Sequence, residues 1–158
     1  MEPFSIDSDL RARPSPLTAA GIDKYLTTMA SGLNGIGKAV MAAAAKYGIN
    51  ATYILAHAIH ETGWGTSAIL KKKNNLFGWE AFDDSPFASA KGFPDQATCV
   101  DFVMGKVKER YLSPGGVHFR EKPCLGNKTY GMNVKYASDA QWGEKIARIA
   151  RKLEKDMG

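Results

Sequence analysis

The segment that decides the fold is residues 50–65, NATYILAHAIHETGWG. Across residues 51–62 apolar side chains occur on every side of a helical turn, which is typical of a helix buried in the centre of a domain. Asn50 is a favourable N-cap residue, and Gly63 is typical of the left-handed turn that ends a helix. The sequence therefore predicts a central helix that ends beside Trp64, a tryptophan with a glycine on each side.

Helical patterns also surround this segment, and less regular stretches separate them. We predict a helix after Pro16 with Thr18 as N-cap, one from Ile36 to Tyr47, a short one near Ser67 to Lys71, one from Asp95 to Tyr111, and a last one capped by Asp139. The remainder of residues 63–94 predicts an irregular lobe with a short hairpin, and residues 117–138 predict a loop. The chain is therefore expected to be mainly α, with one irregular lobe inserted between helices, and with residues 1–16 as an extended N-terminal arm and 17–158 as one domain.

Composition limits the classes of protein to consider. The chain has 158 residues and no apolar run approaching the ~20 residues of a membrane span, so we expect one domain without a span. A net charge of +5 suits an anionic partner such as a cell wall, a membrane or a nucleic acid. The sequence has no nucleic-acid-binding motif, which argues against nucleic acid as that partner. Cys99 and Cys124 match no metal-ligand spacing, and their pairing stays open.

Glu61 departs from the local rules of helix composition. It stands in the last turn of the apolar helix, where the negative end of the helix dipole disfavours a carboxylate by about 0.3–1 kcal/mol. Glycoside hydrolysis needs a carboxyl group that stays protonated near neutral pH. Glu61 is therefore a candidate general acid, against the alternative of a glutamate pointing into solvent. Trp64 is a candidate platform for a sugar ring, against the alternative of a core tryptophan.

Other catalytic classes are less favoured by the motifs. The order of His57, His60 and Glu61 is H-x-x-H-E and not the zinc-binding H-E-x-x-H, and a third ligand is not evident. The chain lacks the G-x-S-x-G elbow of serine hydrolases and a glycine-rich phosphate loop. We therefore expect neither a metal nor a cofactor.

Two motifs resemble the glucosaminidase domains of bacterial and phage autolysins, glycoside hydrolase family 73. The first is the end of the apolar helix in E-T-G-W-G-T-S (residues 61–67), followed by N-N-L-F-G (residues 74–78). The second is N-V-K-Y-A-S-D (residues 133–139), followed by W-G-E-K-I (residues 142–146). The resemblance covers residues 17 to about 156, and the presence of both motifs in this order makes it specific.

The resemblance implies an α+β, mainly α, lysozyme-like domain with a small irregular β-lobe over a cleft, so that residues 17–158 would be the catalytic domain. It implies hydrolysis of the β-1,4 bond after N-acetylglucosamine in peptidoglycan by a monomeric enzyme. It implies Glu61 as general acid and Tyr136 beside the acetamido group of the sugar. Sugar contacts or support of the cleft would come from Trp64, Asn75, Phe77, Glu80, Tyr130 and Asn133.

The sequence does not identify the second carboxylate of the reaction. Glu80, Asp83 and Asp84 follow the N-N-L-F-G motif, and Asp83 ranks slightly ahead because A-F-D is similar to short-lobed members of the family. Exposed loop acids are the alternative for all three residues. The acetamido oxygen of the substrate is a further alternative, and it would make a second carboxylate unnecessary.

Three other functions are alternatives. A lytic transglycosylase or a muramidase would have the same fold and release a different product. A non-catalytic wall-binding or virion structural module would bind without cleaving. The N-terminus lacks the basic and apolar regions of a signal peptide. We therefore expect a protein that acts on the wall, outside the cytoplasm or in the periplasm, and is phage-encoded or exported by another route.

Overall fold

The structure is a computed structural model that describes residues 1–29, 31–33, 35–80 and 90–158. Within these ranges the regular structure is helical. The helices are α1 (Ala19–Thr28), α2 (Gly37–Tyr47), α3 (Ala51–Thr62), α4 (Ala68–Lys73), α5 (Gln96–Val107, continued by a π-helical turn over Lys108–Leu112), α6 (Asn133–Tyr136) and α7 (Trp142–Met157).

Helix α3 lies in the centre of the core, as its composition predicts. It packs against α7 on one side and α2 on another, and α2 in turn contacts α1 and α5. From Ala51 to Ile59 every residue of α3 is buried. The Asn50 side chain accepts a hydrogen bond from the backbone N–H of Tyr53, and Gly63 ends the helix in the left-handed conformation. Helix α3 can therefore carry side chains from the core to the surface at its C-terminal end.

Residues 1–16 pack on the helices through apolar and ionic contacts. Phe4 and Leu10 are fully buried in the core. The Arg13 guanidinium donates two hydrogen bonds of 2.8 Å to the carboxylate of Glu154 on α7. The backbone of Leu10 bridges two distant parts of the chain, because its N–H donates to Pro123 and its C=O accepts from Asn50.

The expected β-lobe is wrong for the described part of the chain, because no residue in those ranges lies in a strand. The reason lies in how the loop after α3 satisfies its backbone. Trp64, Asn74 and Glu80 have positive φ angles, which interrupt an extended strand. The side chain of Asn75 forms four hydrogen bonds with backbone N–H and C=O groups of this loop, groups that would pair with a neighbouring strand in a sheet. The mainly α part of the prediction agrees with the structure.

Most predicted helix signals correspond to observed helix ends. Thr18, Ser67 and Asp95 cap α1, α4 and α5 through their side chains. The last helix differs, because its N-cap is Gln141 and the side chain of Asp139 instead accepts from the Gln141 backbone. The short helix α6 was not expected from the loop-like composition of residues 117–138. No helix in the described ranges is long and apolar enough to span a membrane.

Candidate functional site

Glu61 opens onto a cleft at the C-terminal end of α3. Its side chain is 20% exposed. The space beside it has a volume of about 320 Å³. It is lined by His60, Glu61, Ile69, Gly78, Tyr136, Ala137, Ser138, Asp139 and Trp142. The two sequence motifs therefore meet here, since Glu61 comes from the first and Tyr136 and Trp142 come from the second.

A chain of hydrogen bonds leads from the core to Glu61 along one face of α3. The hydroxyl of Tyr53 lies 2.9 Å from Nδ1 of His57, and Nε2 of His57 lies 3.4 Å from Oε2 of Glu61. The three residues are spaced four apart, which stacks them on one side of the helix. When Tyr53 donates to Nδ1, the proton of the neutral imidazole is on Nε2 and points to the Glu61 carboxylate. We call these residues the Tyr53–His57–Glu61 chain.

Aromatic rings enclose the imidazole of His57, which is fully buried. Phe77, Tyr136 and Trp142 contact it edge-on, with ring centroids 5.1, 4.9 and 5.2 Å away. These rings leave His57 little freedom to rotate, and so they orient its Nε2 towards Glu61. His60, on the other side of the carboxyl, has its Nε2 3.9 Å from Oε1. Burial, as the largest cause, lowers the pKa of His60 below its usual value.

The loop after α4 brings Gly78 over the carboxyl of Glu61. The Asn75 side chain accepts from the N–H groups of Phe77 and Trp79 and donates to the C=O groups of Trp79 and Lys91. This closes a tight turn in which Gly78 has a φ of +64°. A Cβ at Gly78 would lie 3.5 Å from Oε2 of Glu61, so glycine keeps the loop close without shielding the acid. Asn75 and Phe77 are buried and shape the cleft from behind its surface.

Tyr136 joins the two motifs directly. Its hydroxyl donates a 3.1 Å hydrogen bond to the C=O of Phe77, and its ring stacks on Trp142 at 4.9 Å. Burial raises the pKa of the Tyr136 hydroxyl well above its usual value, and the negative charge of Glu61 adds to the effect. The hydroxyl therefore stays protonated at neutral pH and holds the Gly78 loop in place.

A second pocket adjoins the cleft on the other side of Gly78 and Tyr136. It has a volume of about 270 Å³. It is lined by Gly78, Trp79, Glu80, Arg110, Tyr111, Lys135 and Tyr136. Because Gly78 and Tyr136 line both spaces, the second pocket continues the cleft away from Glu61. We call it the basic pocket, after Arg110 and Lys135.

Trp64 lies in a strained turn beyond α3. Its φ of 60° is flanked by positive angles at Gly63 and Gly65, and Gly65 passes so close to Gly32 that a side chain has no room at either glycine. The Trp64 ring is half-buried, and its centroid lies 6.3 Å from that of Tyr25. Trp64 is absent from the lining of both the cleft and the basic pocket. The Trp64 ring therefore forms part of neither wall.

Tyr130 and Asn133 also lie apart from the cleft surface. The Tyr130 hydroxyl donates a short hydrogen bond to Asp7 of the N-terminal segment, which raises the pKa of Tyr130 to about 12. Asn133 is fully buried and ties α6 to the start of α7, because its Oδ1 accepts from the Gly143 N–H and its Nδ2 donates to the Asp139 C=O. These contacts position the backbone around the site.

The loop acids divide between described and undescribed parts of the chain. Asp83 and Asp84 lie outside the described residues. Glu80 is exposed and lines the basic pocket, with a positive φ of 62°. Within the described ranges no three acidic, histidine or cysteine side chains form a cluster that could hold a metal ion.

Several residues of the site were not predicted as such. Tyr53 and His57 could have been found from their spacing of four before Glu61. Trp142 was part of the second motif, but its stacking on Tyr136 depends on contacts between distant segments. Arg110 carries no sequence signal for the basic pocket, because it reaches that pocket from the end of α5.

A half-buried glutamic acid in an aromatic cleft is an arrangement typical of glycosidases. Comparison with family models supports this class. The model of the glucosaminidase family, described as mannosyl-glycoprotein endo-beta-N-acetylglucosaminidase, matches residues 37–155. The chain belongs to this family.

Two of the relatives are proteins of bacteria. A Streptococcus pneumoniae protein named "Putative endo-beta-N-acetylglucosaminidase" is 46% identical over 112 residues, which are 71% of this chain and 16% of that protein. A Staphylococcus aureus "Bifunctional autolysin" is 29% identical over 140 residues, covering 75% of this chain and 11% of that protein. The chain thus spans about a sixth or less of the length of these relatives.

Solved structures share the fold. A catalytic mutant of S. aureus autolysin E in complex with the disaccharide NAG-NAM matches with a TM-score of 0.75 and 22% identity, covering 99% of this chain and 74% of that one. Another autolysin E structure matches with a TM-score of 0.73 and 24% identity, covering 97% and 72%. At these identities the likeness concerns the fold.

Proposed function

We propose that this chain is a peptidoglycan hydrolase that cleaves the β-1,4 bond after N-acetylglucosamine, with Glu61 as general acid. The observation that carries the proposal is the Tyr53–His57–Glu61 chain, which holds one oxygen of a half-buried carboxyl while that carboxyl faces the cleft. Membership of the glucosaminidase family and the names of the relatives support the reaction and the substrate. The protein would act where the wall is, outside the cytoplasm or in the periplasm.

The first chemical step needs a proton on the leaving oxygen of the glycosidic bond. Glu61 would donate it, because of the two carboxyl groups that line the cleft, Glu61 and Asp139, Glu61 is the one at the end of the buried chain, whereas Asp139 is paired with Lys145. Tyr136 would lie against the sugar that loses its leaving group, because its ring and Gly78 form the wall between the cleft and the basic pocket. Its protonated hydroxyl would maintain that wall during turnover.

For the second step we favour attack by the acetamido oxygen of the substrate. That oxygen would bond to the anomeric carbon as the leaving oxygen departs with the Glu61 proton, and water would then open the cyclic intermediate with retention of configuration. The rival is a carboxylate 5–5.5 Å or 6.5–9.5 Å from the acid, which is the spacing of ordinary glycosidases. The position beside the acetamido group that the family resemblance implies for Tyr136 favours the first route, and Asp83, Glu80 and Asp84 are the candidates for the second.

Single amide variants separate the two routes. If the acetamido oxygen attacks, Glu80→Gln, Asp83→Asn and Asp84→Asn should each keep much of the activity. NMR of the freshly released product should then show the β anomer. One inactive variant together with an inverted product would replace substrate assistance with a carboxylate base and would identify that base.

Glu61→Gln tests the general acid. Gln keeps the shape and can still accept from His57, so we expect a melting temperature close to that of the wild type. Dye release from purified walls should fall at least roughly a hundredfold, in line with general-acid contributions. Glu109→Gln is the matched control, because Glu109 is exposed on the π-helical turn. Activity of Glu61→Gln within a few fold of the wild type would remove Glu61 from the mechanism.

The ends of the released muropeptides test the bond that is cut. Reducing-end N-acetylglucosamine in the mass spectrum is the expected result. Reducing-end N-acetylmuramic acid would indicate a muramidase, and an anhydro end would indicate a lytic transglycosylase. Binding to walls without any release would indicate a non-catalytic module.

A further inference from the structure

The basic pocket has a charge that the hydrolysis of a neutral glycosidic bond does not require. Among the described residues that line it, Arg110 and Lys135 are the cations and Glu80 is the acid. Neither cation forms an ion pair with a carboxylate in the ranges that the structure describes. Two cations that have no ion-pair partner among the described residues, and that line a pocket beside the cleft, can bind an anionic ligand.

The guanidinium of Arg110 is held in a defined orientation. Its central carbon lies 5.6 Å from the ring centroid of Trp79, a cation–π contact. Stacking engages the face of a guanidinium and leaves its in-plane N–H groups free for a bidentate bond to a carboxylate. Trp79 is itself buried and is bonded to Asn75, so the platform under Arg110 is rigid.

The electrostatic environment of His118 also reflects the positive charge around the basic pocket. The pKa of His118 is lowered, first by burial and then by the positive charges of Arg110, Arg120 and Lys135. The ring of His118 contacts Tyr111, which lines the basic pocket. The positive potential is therefore shared by several side chains at this end of the cleft and favours an anion there.

Peptidoglycan offers such an anion next to the bond that Glu61 would cut. The sugars of its glycan are neutral at the ring, whereas each N-acetylmuramic acid carries a peptide stem with free carboxylates. Because the two sugars alternate, a peptide-bearing sugar is always adjacent to the N-acetylglucosamine in the cleft. We propose that the basic pocket binds a carboxylate of this peptide stem through Arg110 and Lys135. This inference rests on the proposed function and adds a specificity determinant to it.

The test compares one glycan with and without its peptides. Walls freed of phosphate-containing polymers are the first substrate, and the same glycan stripped of peptide by an amidase is the second. For Arg110→Ala with Lys135→Ala we expect kcat/KM to fall about tenfold on the first substrate and to stay within twofold on the second. Arg110→Lys should recover only part of the loss, because Lys cannot make the bidentate bond. Lys155→Ala, on the exposed end of α7, is the charge-matched control and should change neither rate.

Other outcomes would overturn the inference. An equal loss on both substrates would show that the two cations act on the glycan or on the fold. No loss on either would show that they do not contact the substrate. A loss that appears only when the phosphate-containing polymers are left on the wall would assign the pocket to phosphate instead of carboxylate.

A binding measurement keeps the inference separate from the proposed function. Calorimetric titration of the wild-type protein with the disaccharide alone and with the peptide-bearing disaccharide requires no cleavage. We expect tighter binding of the peptide-bearing form, a preference that is lost in the double variant. Retained preference with no hydrolysis of any substrate would refute the proposed function alone, whereas equal binding of both ligands would refute the inference.

Discussion

Tyr53→Phe tests whether the buried end of the Tyr53–His57–Glu61 chain controls the acid at its exposed end. The change removes one oxygen atom that lies 2.9 Å from Nδ1 of His57 and leaves the ring in place. Tyr53 and His57 are both fully buried, so water cannot replace the lost hydroxyl without opening the core. Nδ1 would therefore be left as a buried acceptor without a partner.

The expected cost follows from that unpaired nitrogen. An unsatisfied buried acceptor costs about 1–3 kcal/mol. In a domain of this size each kcal/mol lowers the melting temperature by about 2–4 °C. We therefore expect the melting temperature of Tyr53→Phe to fall by about 2–12 °C. His57 would also lose the partner that keeps the proton on Nε2, so the bond to Glu61 would be present for only part of the time.

The assay measures stability and turnover separately. We expect kcat for wall lysis to fall about three- to tenfold, which is about 0.7–1.4 kcal/mol in the barrier. Nitrogen NMR of the imidazole should show the Nε2–H tautomer of His57 in the wild type and a mixture in the variant. Tyr47→Phe is the matched control, because the Tyr47 hydroxyl bonds Asp101 at the surface, and a change there should stay within about 0.5 kcal/mol.

Two results would refute the reasoning. An unchanged melting temperature would show that the Tyr53 hydroxyl makes no stabilising bond in solution. A lower melting temperature with unchanged kcat and an unchanged His57 tautomer would show that the chain stabilises the fold and does not position Glu61.

Three further predictions rest on single features of the structure. Tyr136→Phe removes the hydrogen bond to the Phe77 C=O, so the free energy of unfolding should drop by about 1 kcal/mol. We expect kcat to fall while binding to the wall persists. Activity equal to that of the wild type would show that Tyr136 only packs in the core. Burial is the main cause that lowers the pKa of His60 and His118 below the usual 6.5, so as the pH falls the unfolded chain takes up protons before the folded chain does. The free energy of unfolding, measured in urea, should therefore fall as the pH drops through 6.5 and level off below the pKa values of the two histidines in the folded state. A rise in the free energy of unfolding over that pH range would contradict the prediction. Burial raises the pKa of the Cys99 thiol to about 12, so a thiol reagent at pH 8 should label it slowly in the native protein and rapidly in denaturant.

Local chemistry was enough to predict most of the helices and to single out Glu61. Thr18, Asn50 and Asp95 are caps because their side-chain oxygens bond the nearest backbone N–H groups, which are a few residues away in sequence. Glu61 was recognisable because it is a charged residue at the end of an otherwise apolar helix. Its role as general acid remains a prediction that the Glu61→Gln variant tests.

Contacts between distant segments decided the rest. The β-lobe was predicted from the family resemblance, and an irregular lobe from the glycines and aromatics after α3. In the structure the side chain of Asn75 satisfies that backbone, an arrangement that depends on Trp79 and Lys91 lying within its reach. The turn places the ring of Trp64 beside Tyr25, which is distant in sequence, and a contact of Trp64 with sugar remains a prediction.

The sequence by itself determined the central helix, its caps and the acid at its end, because each depends on residues within one or two helical turns. Only the tertiary structure decided what surrounds that acid. Tyr136 reaches the Phe77 carbonyl across 59 residues of chain, and Arg110 comes from the end of a different helix. Such contacts are set by how helices pack around a shared core, and a linear pattern of residues does not record that packing.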